Sequence, residues 1–427
     1  MHWYPVPSVG AVGGWSATLG WAGAFTLVYF LAAQLGLALL VQPSEVAAFW
    51  PASGVAAGIL IVSGRRAWPA LVIALVVGTV AANVMSDRNL LTSILKGICN
   101  AGEAVLVAWL LERWFGRAFV FSDLSRIAGF LAAAGLAAAV SAIGGAATMT
   151  LLHTAAPFWD AWRVWFLSDG VGIVVVAPLV IGLGQLWHEL PSRGETIEGV
   201  AVLGLLASTS TYVVACPTES WASFCLGAFV LPLLLWLAAR CQPTFASAGA
   251  FVVSITVIVA TTFSLGHFGD AAIPIFERVK GAQAAVMMVT VYTLVLVALL
   301  TARRLGEERL RQLLGALPAA IHTTDTAGRI TFYNKAAVDL WGTSPELGKD
   351  KCSDLGRLYY ADGTLVPLDQ CPTKICLTER RTIEGREALF ERPDGTRIPI
   401  IPYPAPLTDQ SGAVVGVVSM KLNITEQ

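Results

Sequence analysis

Long apolar stretches constrain this chain more than any other feature. A helix rises 1.5 Å per residue, so about 20 apolar residues cross the ~30 Å hydrocarbon layer of a bilayer. Ten such stretches are read, at approximately 17–40, 46–62, 68–85, 90–111, 127–152, 162–186, 200–215, 222–239, 245–265 and 282–300. The second and seventh are short. Charge divides the chain at the same place. Residues 1–304 carry 14 Lys+Arg and 13 Asp+Glu, whereas residues 305–427 carry 14 and 16 in fewer than half as many positions. A chain that is 56% hydrophobic and 13% charged is not an ordinary cytosolic enzyme. The reading is a polytopic helical membrane bundle of about eight to ten spans, residues 1–304, followed by a soluble part.

Basic residues orient the bundle, because short cytoplasmic loops retain Lys and Arg. Alternate loops hold Arg65, Arg66, Arg113, Arg117, Arg126, Arg193, Arg240, Arg303 and Arg304 on one side, and only Arg88, Arg163, Arg278 and Lys280 on the other. Ten spans with both termini in the cytoplasm fit this division, and eight spans also keep both ends inside. The N-terminus lacks a basic start and a small-residue cleavage site, so the first span is expected to stay as an anchor. A net charge of -1 gives no electrostatic footprint for nucleic acid. The seven cysteines show neither zinc-type doubling nor a disulfide framework.

Polar groups inside the spans need a reason, since an unpaired charge at the bilayer centre costs at least ~2.5 kcal/mol. Lys96, Asn100 and Glu103 follow one another at i, i+4 and i+7 and share a helical face that must look into the bundle. Asp169 lies beside Trp165 in the sixth span, and Asn83 ends the third. An ion pair between Lys96 and Asp169 is expected. Glu103 then sits nearer the midplane, protonated or hydrogen-bonded to Asn100 or Asn83. Trp50 and Pro51 begin a segment, Trp50-Pro51-Ala52-Ser53-Gly54, that interrupts a span, with a kink as the commonest cause. These residues form a candidate intramembrane sensing site: Trp50, Pro51, Asn83, Lys96, Asn100, Glu103, Trp165 and Asp169. The plainer alternative is that they only hold helices together.

Three stretches carry a resemblance: Phe49-Trp50-Pro51-Ala52-Ser53-Gly54-Val55, then Asn100-Ala101-Gly102-Glu103-Ala104, then Trp165-Phe166-Leu167-Ser168-Asp169-Gly170-Val171-Gly172 with Pro178-Leu179. In that order they resemble the MASE-type membrane-associated sensor domain of bacteria, over about residues 19–304. The resemblance implies detection of a signal in or near the inner membrane, passed to a cytoplasmic histidine kinase or cyclic-dinucleotide enzyme.

Residues 305–316 read as a linker helix with a partial stripe at Leu305, Leu310, Leu313 and Leu314, which transmits motion or pairs with its twin in a homodimer. Residues 317–427 read as an α+β domain of short strands and hairpins. The stretches Asp325-Thr326-Ala327-Gly328-Arg329-Ile330, Tyr333-Asn334-Lys335-Ala336-Ala337, Glu391-Arg392-Pro393-Asp394-Gly395-Thr396 and Asn423-Ile424-Thr425-Glu426 resemble a PAS domain. Trp341, Tyr359 and Tyr360 are the candidate residues for its pocket or dimer surface. No cofactor or metal is assigned, and the PAS ligand is left open. Cys371 and Cys376 as haem ligand or redox pair, and the pair His188-Glu189, are weighed and set aside as a packing pair of thiols and a loop histidine.

Within these residues no phosphoacceptor-histidine helix, nucleotide-binding boxes or cyclase loop is read, so catalysis is assigned to a longer chain or a partner. The function expected is the input half of a two-component sensor, with a kinase or response-regulator partner and an unknown small-molecule or membrane signal. The alternative is a secondary transporter with a regulatory PAS domain, suggested by an interrupted helix and midplane charges.

Overall fold

The structure is a computed structural model and describes residues 15–41, 46–86, 88–153, 157–186, 190–215, 221–270 and 272–425. It divides into two compact units, Met1–Arg303 and Arg304–Gln427. His2, His188, Glu189 and Cys216 lie outside the described residues.

The ten apolar stretches correspond to ten helices: α1 Trp15–Ala38, α2 Pro51–Ser63, α3 Trp68–Val84, α4 Leu90–Phe115, α5 Leu124–His153, α6 Phe158–Leu186, α7 Arg193–Ala215, α8 Trp221–Arg240, α9 Pro243–Thr262 and α10 Ile275–Ala316. Seven of them are long and apolar enough, over their described residues, to cross a membrane. The second stretch is corrected. Its first residues, Val46–Ala47, form the strand β2, which pairs antiparallel with β1 Leu40–Val41 ahead of the stretch, and the helix starts only at Pro51. With 13 residues α2 is only about 20 Å long. Pro51 does not kink a span; it occupies the first helical turn, where its missing N–H would have no partner anyway and its φ is already helical.

This short helix is the centre of the unit. From Pro51 to Gly58 every residue of α2 is buried, and α2 packs against α1, α4 and above all α6. Glycine sets that contact. A Cβ at Gly54 would lie 2.2 Å from the Gly172 carbonyl oxygen, and one at Gly172 would lie 2.0 Å from the Trp50 carbonyl oxygen. The two backbones therefore touch, and the Trp50 N–H donates to the Ser168 carbonyl at 3.2 Å. The non-helical approach to α2 is held as well, by Gln283 Nε2 of α10 donating to the Ala48 carbonyl at 3.0 Å. Irregular backbone inside a bundle is stable only when protein groups satisfy it in this way.

The second unit contains a six-stranded antiparallel sheet in the order β4-β3-β8-β7-β6-β5, from β3 Ala320–Asp325, β4 Ile330–Tyr333, β5 Arg357–Tyr360, β6 Ala388–Glu391, β7 Arg397–Thr408 and β8 Val414–Asn423. Two short helices, α11 Lys335–Trp341 and α12 Pro372–Glu379, lie between strands in sequence. The core gathers Ile330, Leu340, Trp341, Leu355, Phe390 and Ile400.

The sequence signatures of this unit are hydrogen-bonded devices. Asn334 caps α11 by accepting from Ala337 N at 3.0 Å, accepts from Ile321 N at 2.9 Å, and donates through Nδ2 to the carbonyls of Ala319 (2.9 Å) and Leu314 (3.0 Å). One side chain thus ties the end of α10 to β3 and α11. Asp325 closes the β3–β4 turn by accepting from the Ala327 and Arg329 backbone and pairing with Arg329 Nε at 2.7 Å. Those bonds and the Arg329 charge hold its carboxyl below the usual range even though burial pushes the other way. Arg392 donates to the last carbonyls of α11, those of Leu340 and Asp339, where a cation also suits the helix dipole.

Candidate functional site

In the membrane unit four helices converge on a polar cluster. Asn89 caps α4 by accepting from Leu91 N at 2.8 Å, and from that start the i, i+4, i+7 spacing turns Lys96, Asn100 and Glu103 inward together. All three are buried. Asp169 of α6 faces them and is only 4% exposed, against 3% for Glu103. Ser53 of α2 is buried near both carboxyls, and its hydroxyl makes no hydrogen bond of ordinary geometry to either. Glu103 Oε1 and Ser53 Oγ are both buried without a hydrogen-bond partner.

The expected ion pair between Lys96 and Asp169 is not formed: no nitrogen–oxygen approach within 4.0 Å joins them. Lys96 Nζ instead lies over the Trp165 ring, 5.7 Å from its centroid. Trp165 holds that position because Gly145 of α5 leaves room for it; a Cβ there would fall 2.3 Å from the indole. An aromatic face takes the cation that the carboxylate was expected to take. Asn100 and Asn83 do not bind Glu103 either. Asn100 Nδ2 donates to the Tyr29 hydroxyl at 3.1 Å, and Asn83 Nδ2 donates to the Thr79 carbonyl of its own helix at 2.9 Å.

Sequence reasoning missed Tyr29, which is fully buried on α1 and also accepts from Thr79 Oγ1 at 2.9 Å. The one phenol of this span was the available signal, since a buried Tyr hydroxyl needs a partner. Trp50 sits at the edge of the cluster, its ring against Gly36 of α1. Pro51 contributes only the start of α2. The cluster as built holds two carboxyls with no ion pair, beside a hydroxyl with spare capacity. Two buried carboxyls without an ion pair are costly, which makes this cluster the candidate site of the unit.

In the second unit the structure brings together residues that the sequence left separate. Trp341, fully buried, contacts His322 (ring centroids 5.2 Å) and Tyr333 (6.0 Å). Lys421 of β8 is 6% exposed and reaches inward over Phe390 (5.0 Å) and Trp341 (5.8 Å). Tyr359 and Tyr360 do not join Trp341. They lie on the edge strand β5, where successive side chains leave opposite faces, so two adjacent strand residues cannot line one pocket. Tyr359 donates to Glu391 Oε1 at 3.0 Å with its ring under Arg397, and Tyr360 donates to Gln370 Oε1 at 2.7 Å. The Arg397 guanidinium and the Tyr359 hydroxyl hold the Glu391 carboxyl below its usual range. Among the described residues no group of three or more His, Cys, Asp or Glu is placed to hold a metal.

The MASE1 family profile matches residues 21–305, well over half of the chain. The chain belongs to the MASE1 family. In this MASE1 protein a PAS domain profile matches residues 308–370, in the unit that carries the antiparallel sheet. The chain is similar to a PAS domain from Colwellia psychrerythraea (19% identity over 29% of this chain and 99% of that one, TM-score 0.23). It is similar also to the PAS domain of an HTR-like protein from Haloarcula marismortui (20%, 29% and 96%, TM-score 0.22) and to that of the fruit-fly ELK potassium channel (16%, 28% and 98%, TM-score 0.23). No curated protein matches. A MASE1 bundle of apolar helices joined to a PAS domain makes this a multi-pass membrane protein with the arrangement of a sensory input module.

Proposed function

We propose that the protein is the input half of a two-component histidine kinase system of the bacterial inner membrane. Both termini are cytoplasmic, the membrane unit spans 1–304, a linker helix spans 305–316 and the PAS unit spans 317–427. The observation that carries the reading is the cluster of Ser53, Asn100, Glu103 and Asp169. Three helices, α2, α4 and α6, together place two carboxyls without an ion pair at one spot, which a purely structural bundle has no need to do. A signal that binds this cluster more tightly in one arrangement of the helices than in another shifts the population of the two, and only that difference in affinity drives output. The exposed Leu305, Leu310 and Leu313 of the linker support pairing with a second copy.

The test is transfer of labelled phosphate from ATP in membranes that hold this chain together with its candidate kinase partner or any longer product of the same locus. Transfer that depends on the MASE1 unit, and that Glu103→Gln alters while insertion is kept, is the expected result. Unchanged signalling from Glu103→Gln removes the cluster from the mechanism. The half-length buried helix α2 also suits a transporter, in which sites form at interrupted helices. Substrate uptake into vesicles without any effect on phosphotransfer would favour that second reading.

A further inference from the structure

The PAS interior contains a second built group that nothing in the membrane reading uses. Cys352 lies in the short turn 352–354 ahead of β5, partly exposed. Its sulfur is 3.4 Å from His322 Nε2 and 3.8 Å from Lys421 Nζ. His322 and Lys421 come from neighbouring strands; Ala320 pairs with Lys421 and His322 with Ser419, so positions two apart on β3 and β8 face the same side.

The chemistry of this trio is uneven. Lys421 is buried, and among the described residues its amino group has no carboxylate within 4.0 Å and one side-chain hydrogen bond, to Cys352. His322 is fully buried, and burial, with the Lys421 charge adding to it, pushes its imidazole well below its ordinary range, so the ring is neutral. Its Nδ1 has no partner, which leaves Nε2 facing sulfur as its only polar contact. With no carboxylate beside it, the buried Lys421 amino group has the Cys352 sulfur as its hydrogen-bond partner, and a neighbouring amine is the kind of group that makes a thiol reactive. The other partly exposed thiol of the unit, Cys371, lies at the start of α12 and has no such neighbours. Two possible ligands, one Cys and one His, are too few for a metal site.

We infer that Cys352, held between His322 and Lys421, is an oxidation site that reacts with hydroperoxides. The thiolate sulfur attacks the distal oxygen of the peroxide, the S–O bond forms as the O–O bond breaks, and sulfur is oxidised by two electrons to sulfenic acid. The peroxide is reduced to an alkoxide or hydroxide, which takes a proton from Lys421 and leaves as alcohol or water. Lys421 then regains its proton from solvent. Oxidation places a hydroxyl on the sulfur that faces His322 of β3 and Lys421 of β8, where the structure holds a thiol.

The experiment uses the full chain in membranes, hydrogen peroxide as the probe and dimedone to trap sulfenic acid. Labelling of Cys352 and Cys371 is followed in the same molecules by peptide mass spectrometry. The expected result is labelling of Cys352 roughly tenfold faster than Cys371, falling to within about twofold in Lys421→Met and partly restored in Lys421→Arg. Equal rates for the two cysteines in the unaltered protein overturn the proposal without recourse to any variant. Fast labelling of Cys352 that Lys421→Met leaves unchanged, with hydrogen exchange showing β8 intact, overturns the role given to the lysine.

Discussion

The membrane unit and the PAS unit make opposite electrostatic choices in their interiors. The bundle buries two carboxyls, Glu103 and Asp169, and directs its one nearby cation, Lys96, onto the Trp165 ring. The PAS core buries one amino group, Lys421, and lines its surroundings with Trp341 and Phe390 rather than with a carboxylate. In each case an aromatic face stands where an oppositely charged side chain would give a self-contained ion pair. A closed pair has little need of anything from outside; a lone charge next to a π-face does. The two interiors thus leave groups of opposite sign, two carboxyls in the bundle and one amine in the PAS core, without a carboxylate–amine pair.

The sharpest way to break the comparison is to remove the contact that positions the bundle's acids. Gly172→Leu drives a side chain into the Trp50 carbonyl and is expected to destabilise the bundle by about 3 kcal/mol or more. Loss of monodisperse protein in detergent checks this, and normal assembly would show that α2 and α6 are not held by backbone contact. In the PAS unit the matching lesion is Asn334→Ala, which deletes four hydrogen bonds at once. It is expected to cost about 3 kcal/mol, read as earlier thermal unfolding of that unit.

Smaller effects test the charges themselves. Replacing a buried, incompletely paired charge by an apolar group of similar shape is often neutral or stabilising by about 1–4 kcal/mol. Lys421→Met is therefore expected to leave the PAS unit at least as stable, while Trp341→Ala in the same core costs about 3–5 kcal/mol. If Lys421→Met proves as damaging as Trp341→Ala, the amino group is packed as structure and the contrast with the bundle fails.

The smallest effect is pH-dependent. Because His322 is held neutral by burial, its folded value lies well below the ordinary 6.5. The unfolded chain then binds the extra proton first as pH falls through 6.5. Stability is full above that pH and declines below it, by up to about 1.4 kcal/mol per pH unit, until the folded imidazole itself takes up a proton. Hydrogen exchange of β3 and β8 measured from pH 7.5 to 5.5 reads the decline, and His322→Phe should flatten it.

The helices were legible because each announces itself locally. A run of apolar residues ended by Arg65-Arg66 or begun by Pro243 needs no knowledge of its neighbours, and the ten segments appear in the structure close to where they were read. Residues 46–49 were misread for the same reason: they are as apolar as a helix, and only contact with α6 and α10 shows that they are not one. In the site, the shared face of Lys96, Asn100 and Glu103 follows from helical spacing, but the partner of each does not. Lys96 and Asp169 have complementary charge, whereas its observed neighbour Trp165 depends on the missing side chain of Gly145 on a third helix. The pairing of Tyr29 with Thr79 was not legible because their hydroxyls meet only after α1 and α3 pack. In the PAS unit, Asp325 bonds within four residues of itself and Asn334 caps the helix that follows it, so both belong to stretches legible as motifs, although the bonds from Asn334 back to Leu314, Ala319 and Ile321 were not. His322, Cys352 and Lys421 are joined only by sheet order, and no local pattern links them.

The bare contact of Gly54 with Gly172 has a mechanical consequence. Beside it lies the Trp50–Ser168 hydrogen bond, and farther along Gly58 meets Val180 and Gly184 meets Val62, so α2 and α6 touch along most of the length of α2. With no side chain between the backbones at Gly54 and Gly172 to take up a shift, Ser53 and Asp169, each within three residues of that contact, would move as parts of one body.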